Sequence, residues 1–195
     1  MPSVEWLRER FASKTPMAAL EPGYPPGRAT PAAVLIPVVM RPTGLTVLLT
    51  QRTAHLNDHA GQVSFPGGRA EESDAGMVET ALRESWEEVG LDSRQIEVIG
   101  TLPEFGTGSG FLVTPVMGLI TPPLNLKLDD FEVAEVFEPP LDFLLDPANW
   151  QRGTVERDGR QHQYWAMPWQ GYYIWGITAA IIVNLRRYLI GAPPP

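Results

Sequence analysis

Three glutamates in one short stretch are the residues of this chain best placed to do chemistry. Glu84, Glu87 and Glu88 lie within Ala81-Leu82-Arg83-Glu84-Ser85-Trp86-Glu87-Glu88-Val89-Gly90-Leu91. On a helix, positions i, i+3 and i+4 share one face, so these side chains span an arc of roughly 100°. Like charges four residues apart destabilise a helix by about 0.2–0.5 kcal/mol, so the Glu84/Glu88 pair needs something to offset it. A hard divalent cation with oxygen ligands would do so. Arg83 precedes Glu87 by four residues and can pair with it, fixing its rotamer. Upstream, Gly67 and Gly68 lack a Cβ, which lets backbone carbonyls approach an ion closely. The competing reading is a solvated acidic face. The glycine pair, Arg83 and the terminal Gly90-Leu91 weigh against it, as does an apolar arc directly beside the acids.

The elements that must position these residues are legible in outline. Residues 75–90 carry the strongest helical signal, with Val78, Ala81, Leu82, Ser85, Trp86 and Val89 on the expected buried side. Ser73 or Asp74 is the expected cap and Gly90 the expected stop. Pro66-Gly67-Gly68 reads as a sharp turn feeding this helix. Ala32 to Met40 and Leu45 to Gln51 read as a hairpin turning at 41–44, with strands buried on both faces. Residues 52–60 read as loop and Gly61 to Phe65 as a short strand. Gln95 to Thr101, Phe111 to Ile120 and Glu132 to Phe137 are further strands. Pro115 predicts that the second of these is an edge strand or contains a bulge. Residues 106–110 read as a flexible loop and Leu141 to Leu145 as a short helix. Gly153 to Arg160 and Gln161 to Met167 predict a hairpin turning at Asp158-Gly159. Tyr173 to Ile190 predicts a closing helix. Strands outnumber helices, so the expected class is α/β (α+β), a mixed α/β sandwich. Ser3 to Phe11 predicts a short amphipathic helix, followed by an arm with five prolines over 15–31. The expected organisation is residues 1–31 as helix and arm, 32–190 as the catalytic domain and 191–195 as a tail.

Composition narrows the function. The chain has 195 residues, 44% of them hydrophobic and 19% charged, which suits one folded domain. It has no cysteine, which removes disulfides, thiolate metal sites and cysteine catalysis and suits a reducing, cytoplasmic setting. No apolar run reaches the 18 or so residues of a membrane span, and the N-terminus lacks signal-peptide order. A net charge of −8 argues against non-specific nucleic-acid or anionic-lipid binding. It permits a small phosphorylated ligand if a metal supplies positive charge locally. His55, His59 and His162 do not have zinc spacing, and a polar-loop role outweighs catalysis for all three. Most of the six tryptophans are expected in packing rather than in base stacking.

The acidic stretch resembles the Nudix box, G-x5-E-x7-R-E-U-x-E-E-x-G-U with U apolar. Residues 83–91 match its second half, with Ser85 at an apolar position. In the first half, five residues past Gly68 comes Asp74 where Glu is usual, and eight residues then separate Asp74 from Arg83. That longer spacing is similar to the coenzyme A diphosphatase branch, whose upstream signature runs L-L-T-x-R-[S/A]-x3-R-x3-G-x3-F-P-G-G. Leu48-Leu49-Thr50-Gln51-Arg52, Gly61 and Phe65-Pro66-Gly67-Gly68 match it. Thr53 and Asn57 depart from it, and Asn57 removes a charge that could grip a phosphate. The segments 110–116, 132–137 and 175–178 also resemble this branch, so the likeness spans roughly residues 32–187.

The resemblance implies a Nudix-type α/β/α sandwich with a mixed central sheet. It implies Mg²⁺ or Mn²⁺ held by Glu84 and Glu88, with Glu87 completing the cluster and the Gly67 carbonyl as a further ligand. Catalytic candidates are Glu87, Glu88, Glu132 and Glu135, the last two as general bases on a downstream segment. Arg52, Arg69, Asn57 and Gly68 are the implied substrate-binding residues, and Arg83 and Gly90 the structural ones. The implied partner is a nucleotide-diphosphate small molecule, coenzyme A foremost, split into 3′,5′-ADP and 4′-phosphopantetheine. Alternatives are ADP-ribose, a dinucleotide or a nucleoside triphosphate as substrate, or a non-catalytic Nudix-fold sensor module. The intact acids argue against the sensor. A homodimer is an open expectation.

Overall fold

The computed structural model describes residues 2–13, 29–55, 61–157 and 159–191. Asn57, His59, Asp158, residues 192–195 of the tail and most of the proline-rich arm lie outside these residues.

A long parallel pair organises the fold. β1 (Thr30–Arg41) and β8 (Phe111–Ile120) run side by side from Thr30↔Phe111 to Val39↔Ile120. Their outer edges are each shared by two short strands. On β1, β2 (Gly44–Val47) covers the far half and β5 (Gly67–Arg69) the near half. On β8, β6 (Ile96–Thr101) and β7 (Phe105–Gly106) divide the edge in the same way. The result is a mixed sheet of six strands. β3 (Leu49–Arg52) joins β4 (Val63–Ser64) and β9 (Val133–Phe137) in a second sheet. β10 (Gln151–Arg157), β11 (Arg160–Trp169) and β12 (Tyr172–Trp175) form a third.

Prolines mark the handovers. Pro37 accepts from the Leu48 N–H at 3.0 Å on the β2 side of β1. Pro37 has no N–H to return, so the ladder cannot continue and the chain leaves at Leu48 for the second sheet. The expected strand over 45–51 is therefore two strands in two sheets. Pro115 behaves likewise. Its carbonyl accepts from the Leu102 N–H at 2.9 Å, between the stretches paired with β6 and β7. The missing N–H faces that gap, so Pro115 sits in a central strand. The expected edge position is wrong, and the register shift lies in β6, between Val98 and Gly100.

Both faces of the main sheet are buried, as its continuous apolar runs require. On one side α2 (Met77–Val89) packs Ala81 and Val89 with Leu35, Val39, Val116 and Ile120. On the other lie α1 (Val4–Ala12), α3 (Leu141–Leu145) and α4 (Gly176–Ile190). Leu7, Phe11, Leu141, Leu144, Ile182 and Leu185 meet Ile36, Val38, Met117 and Leu119 there. This is the expected α/β/α sandwich. α1 belongs to its core: Phe11 sits where a Cβ on Gly100 would lie 2.7 Å from the ring. The closing helix starts at Gly176, because Tyr172–Trp175 pairs with β11 first. No helix among the described residues is long and apolar enough to cross a membrane.

Candidate active site

α2 places Glu84, Glu87 and Glu88, but it is turned differently from the hydrophobic reading. Its buried residues are Thr80, Ala81, Ser85, Glu88 and Val89, while Val78 and Trp86 are 37% and 58% exposed. An acid, Glu88, therefore faces the sheet, and an indole faces solvent. The helix begins at Met77 behind Gly76, with no side-chain cap from Ser73 or Asp74. It ends as expected at Gly90, in the left-handed conformation at φ 71°. A Cβ on Gly90 would also lie 2.8 Å from the Lys127 nitrogen, so that position has no room for a side chain.

The glycine pair is a strand rather than a turn. Toward β1, the Leu35 N–H donates to Pro66 O at 2.9 Å and the Ala70 N–H to Pro31 O at 3.0 Å. Gly67 and Arg69, which alternate with them along the strand, aim their backbone groups at α2. The Gly67 N–H donates to Glu88 Oε2 at 3.1 Å, and Arg69 O accepts from Arg83 Nη2 at 3.0 Å. The Gly67 carbonyl shares that side with its own N–H, as strand geometry requires. Both glycines are needed for space. A Cβ on Gly67 would lie 2.3 Å from Ala33 O, and one on Gly68 would lie 2.5 Å from the Glu84 carboxyl. Gly68→Ala collides only with the end of a flexible side chain. We expect it to melt within about 2 °C of wild type, a surface-sized change, yet to lose about 10- to 100-fold in kcat/KM because Glu84 is displaced. Calorimetry alongside steady-state kinetics separates the two effects.

Arg83 ties the site together. Its Nε and Nη2 grip Asp74 at 2.9 and 3.0 Å, and its Nη1 reaches Glu84 Oε1 and Glu87 Oε2, each at 3.0 Å. Asp74 also accepts from the Thr80 hydroxyl at 2.8 Å and from the Glu71 N–H at 2.9 Å. Arg83 holds Asp74 well below the usual carboxylate range, and Asp74 with Glu84 holds the guanidinium above its own. Asp74 thus has a clear structural position despite its unusual spacing from Arg83. The sequence signals it only through its charge; the extended turn that brings it back to Arg83 is a tertiary feature.

The remaining acids divide by depth. Glu88 is 6% exposed. Burial pushes its carboxyl up to about 8, against the pull of the Gly67 N–H and of Arg52, with Glu132 and Glu84 pushing further. Burial also raises Glu84, opposed by Arg83 and aided by Glu87 and Glu132. Glu87 lies outward at 55% exposure. Arg52, on β3, reaches Glu88 Oε1 at 3.7 Å and Glu132 Oε2 at 3.5 Å. Glu132 therefore belongs to the acidic group around Glu84 and Glu88. Glu135 does not: it stands opposite Gln51 and near the Tyr172 hydroxyl, whose pKa burial and this carboxylate raise. Arg69 is exposed, with its guanidinium 5.2 Å from the centre of the Phe111 ring.

Among the described residues, no three acidic or histidine side chains already stand at metal-ligand spacing. Arg83 occupies the oxygens between Glu84 and Glu87, and Arg52 stands beside Glu88. The donor chemistry nonetheless suits a hard cation. All donors are oxygen, and two partly or fully buried carboxyls carry raised proton affinities that a divalent cation would reverse.

A NUDIX domain model matches residues 29–158. A Nudix hydrolase of Salmonella paratyphi B, NudL, is 47% identical over 164 residues, covering 84% of each chain. The NudL of Pectobacterium atrosepticum is 43% identical over 162 residues, covering 83% of this chain and 84% of its own. Among solved structures, RenU, a Nudix hydrolase of M. smegmatis, is 26% identical with a TM-score of 0.50, over 58% of this chain and 72% of its own. A C. elegans Ap4A hydrolase shares the fold at 19% identity, with a TM-score of 0.50 over 57% of this chain and 80% of its own. With the domain model spanning two thirds of the sequence and relatives this similar along most of their length, the chain belongs to the Nudix hydrolase family.

Proposed function

We propose that this protein is a divalent-metal-dependent diphosphatase acting on coenzyme A or a derivative, releasing 3′,5′-ADP and 4′-phosphopantetheine. The observation that carries the chemistry is the buried Glu88, held by the Gly67 N–H beside Glu84, Glu132 and Arg52. The support for coenzyme A is the upstream pattern from Leu48 to Gly68. Its Arg52 meets the acids directly, and its glycines give Glu84 and β1 their clearance.

Glu84 and Glu88 would hold Mg²⁺ or Mn²⁺, with the Gly67 carbonyl as a further donor and Glu87 at the outer rim. Such an ion, when bound, neutralises diphosphate oxygens and acidifies water. Arg83 keeps Glu84 and Glu87 oriented. Glu132 is the general-base candidate that lies with the cluster, and it would take the proton of the attacking water. Glu135, engaged with Tyr172, is the weaker candidate. Arg52 and the exposed Arg69 would meet phosphate oxygens as they shed their carboxylate partners or their place over Phe111. Gly68 leaves room for the Glu84 carboxyl and, through it, would shape the substrate side of the site.

Purified protein with Mg²⁺ or Mn²⁺ is to be assayed against coenzyme A, ADP-ribose and NADH. The expected result is preferred turnover of coenzyme A, abolished by EDTA. Preference for ADP-ribose would replace the substrate assignment, and no turnover of any diphosphate would favour a sensor. Glu132→Gln should lose about 10²–10⁴ in kcat, the usual contribution of a general base. Glu135→Gln should lose far less; the reverse order would exchange their roles.

A further inference from the structure

Phe131 is the most exposed large hydrophobic residue among those described, at 65%. It is not exposed for want of order. Its N–H donates to Asp129 Oδ1 at 2.9 Å, and its carbonyl accepts from the buried Thr53 hydroxyl at 2.7 Å. The Thr53 N–H in turn donates to Glu132 O at 3.0 Å. The Phe131 and Glu132 carbonyls are thereby pinned to Thr53, at the start of the loop after β3. The His55 ring, which lies 3.5 Å from the Thr53 hydroxyl through Nε2, meets Phe131 at a centroid distance of 5.0 Å and a tilt of 58°. A single tilted neighbour leaves most of the phenyl surface open.

Position gives this exposure a use. The next residue, Glu132, joins Arg52 and acts on Glu84 and Glu88. The Asp129 N–H donates to Glu88 O at 2.9 Å, tying the same loop to the C-terminal turn of α2. An aromatic face held at the rim of a phosphate-handling acid cluster suits a flat, π-rich group attached to that phosphate. Stacking of this kind accepts any base, because every base has a π-face.

We propose that Phe131, steadied by Thr53 and His55, is the stacking platform for the purine base of a nucleoside-diphosphate substrate. This rests on the diphosphatase reading, and it adds a specificity residue outside the acidic helix. Thr53 acts as a positioning residue, through the Phe131 carbonyl.

The test is equilibrium binding, by calorimetry, of 3′,5′-ADP and of ribose 5-phosphate to wild type, Phe131→Ala and Phe131→Trp. The expected result is 3′,5′-ADP binding about tenfold weaker in the alanine variant and kept in the tryptophan variant. Ribose 5-phosphate, which has no base, should bind all three alike. In turnover, Phe131→Ala should raise KM more than it lowers kcat. Equal 3′,5′-ADP affinity in wild type and Phe131→Ala would overturn the platform. So would an equal loss of both ligands, or a wild type that does not bind 3′,5′-ADP. Base-dependent binding without hydrolysis of any diphosphate would keep the platform and refute the diphosphatase reading.

Discussion

Replacing Glu88 with glutamine is expected to abolish turnover while making the metal-free protein more stable. The rate should fall about a thousandfold, matching roughly 4 kcal/mol of transition-state stabilisation lost with a metal ligand. The stability gain follows from proton linkage. The Glu88 carboxyl titrates near 4.5 when unfolded and is pushed up to about 8 when folded. The folded state therefore binds the proton more tightly, and its stability is fully present below pH 4.5 and drains away as pH rises through 8. Glutamine never ionises, and its side-chain carbonyl can still accept from the Gly67 N–H. The gap between variant and wild type should open above pH 4.5 and level off above pH 8. With each pKa unit worth about 1.4 kcal/mol, even a fraction of the shift gives about 2 kcal/mol. That raises the melting temperature by roughly 4–8 °C at this length. Calorimetry in EDTA at pH 5 and pH 8.5 checks it, and an unstabilised variant at the higher pH would show that Glu88 is not buried as a strained acid. Mn²⁺ binding gives a second readout. Below pH 8 the metal must displace a proton from Glu88, so wild-type affinity should weaken as pH falls. In Glu88→Gln that part of the pH dependence disappears.

Arg83→Lys is expected to cost nearly as much activity as Arg83→Ala, about 10- to 100-fold in kcat/KM, the range typical of groups that orient metal ligands. A lysine keeps the charge, yet Arg83 is not used merely as a charge. It holds both Asp74 oxygens, one oxygen each of Glu84 and Glu87, and the Arg69 carbonyl, with separate N–H groups of one rigid plane. An ammonium offers three donors from a single point and cannot span those directions. The alanine variant also leaves Asp74 nearly enclosed without its cation, so its melting temperature should fall below that of the lysine variant. Kinetics and melting curves for both variants check this. Full activity in Arg83→Lys would mean that neutralisation alone is enough.

The sequence determined the acidic helix, its glycine stop and the apolar strands of a sheet covered on both faces. Each of these is local: it depends on spacing along one element, on a residue with no Cβ, or on an unbroken apolar run. The family pattern added the pairing of that helix with Gly67-Gly68. What the tertiary structure decided are the matters that depend on a partner element. Hydrophobicity turned Trp86 inward and the acids to the margin, but the β5 edge offers the Gly67 N–H to Glu88, and that bond with Arg52 compensates an acid on the inner face. Pro115 predicted an edge strand or a bulge, because a proline weakens a ladder; β8 is central because the N–H missing at Pro115 falls in the gap between two short neighbours, and the bulge lies in β6. Glu132 and Glu135 were equivalent in the sequence. Only the packing of β3 beside the loop before β9 turns Glu132 toward Arg52 and leaves Glu135 with Tyr172. Asp74, one residue out of step with the usual box, still reaches Arg83, because a turn can absorb an extra residue where a helix cannot. The local rules chose the chemistry available to this chain, and long-range hydrogen bonds and burial chose which of its groups are assembled around Glu84 and Glu88.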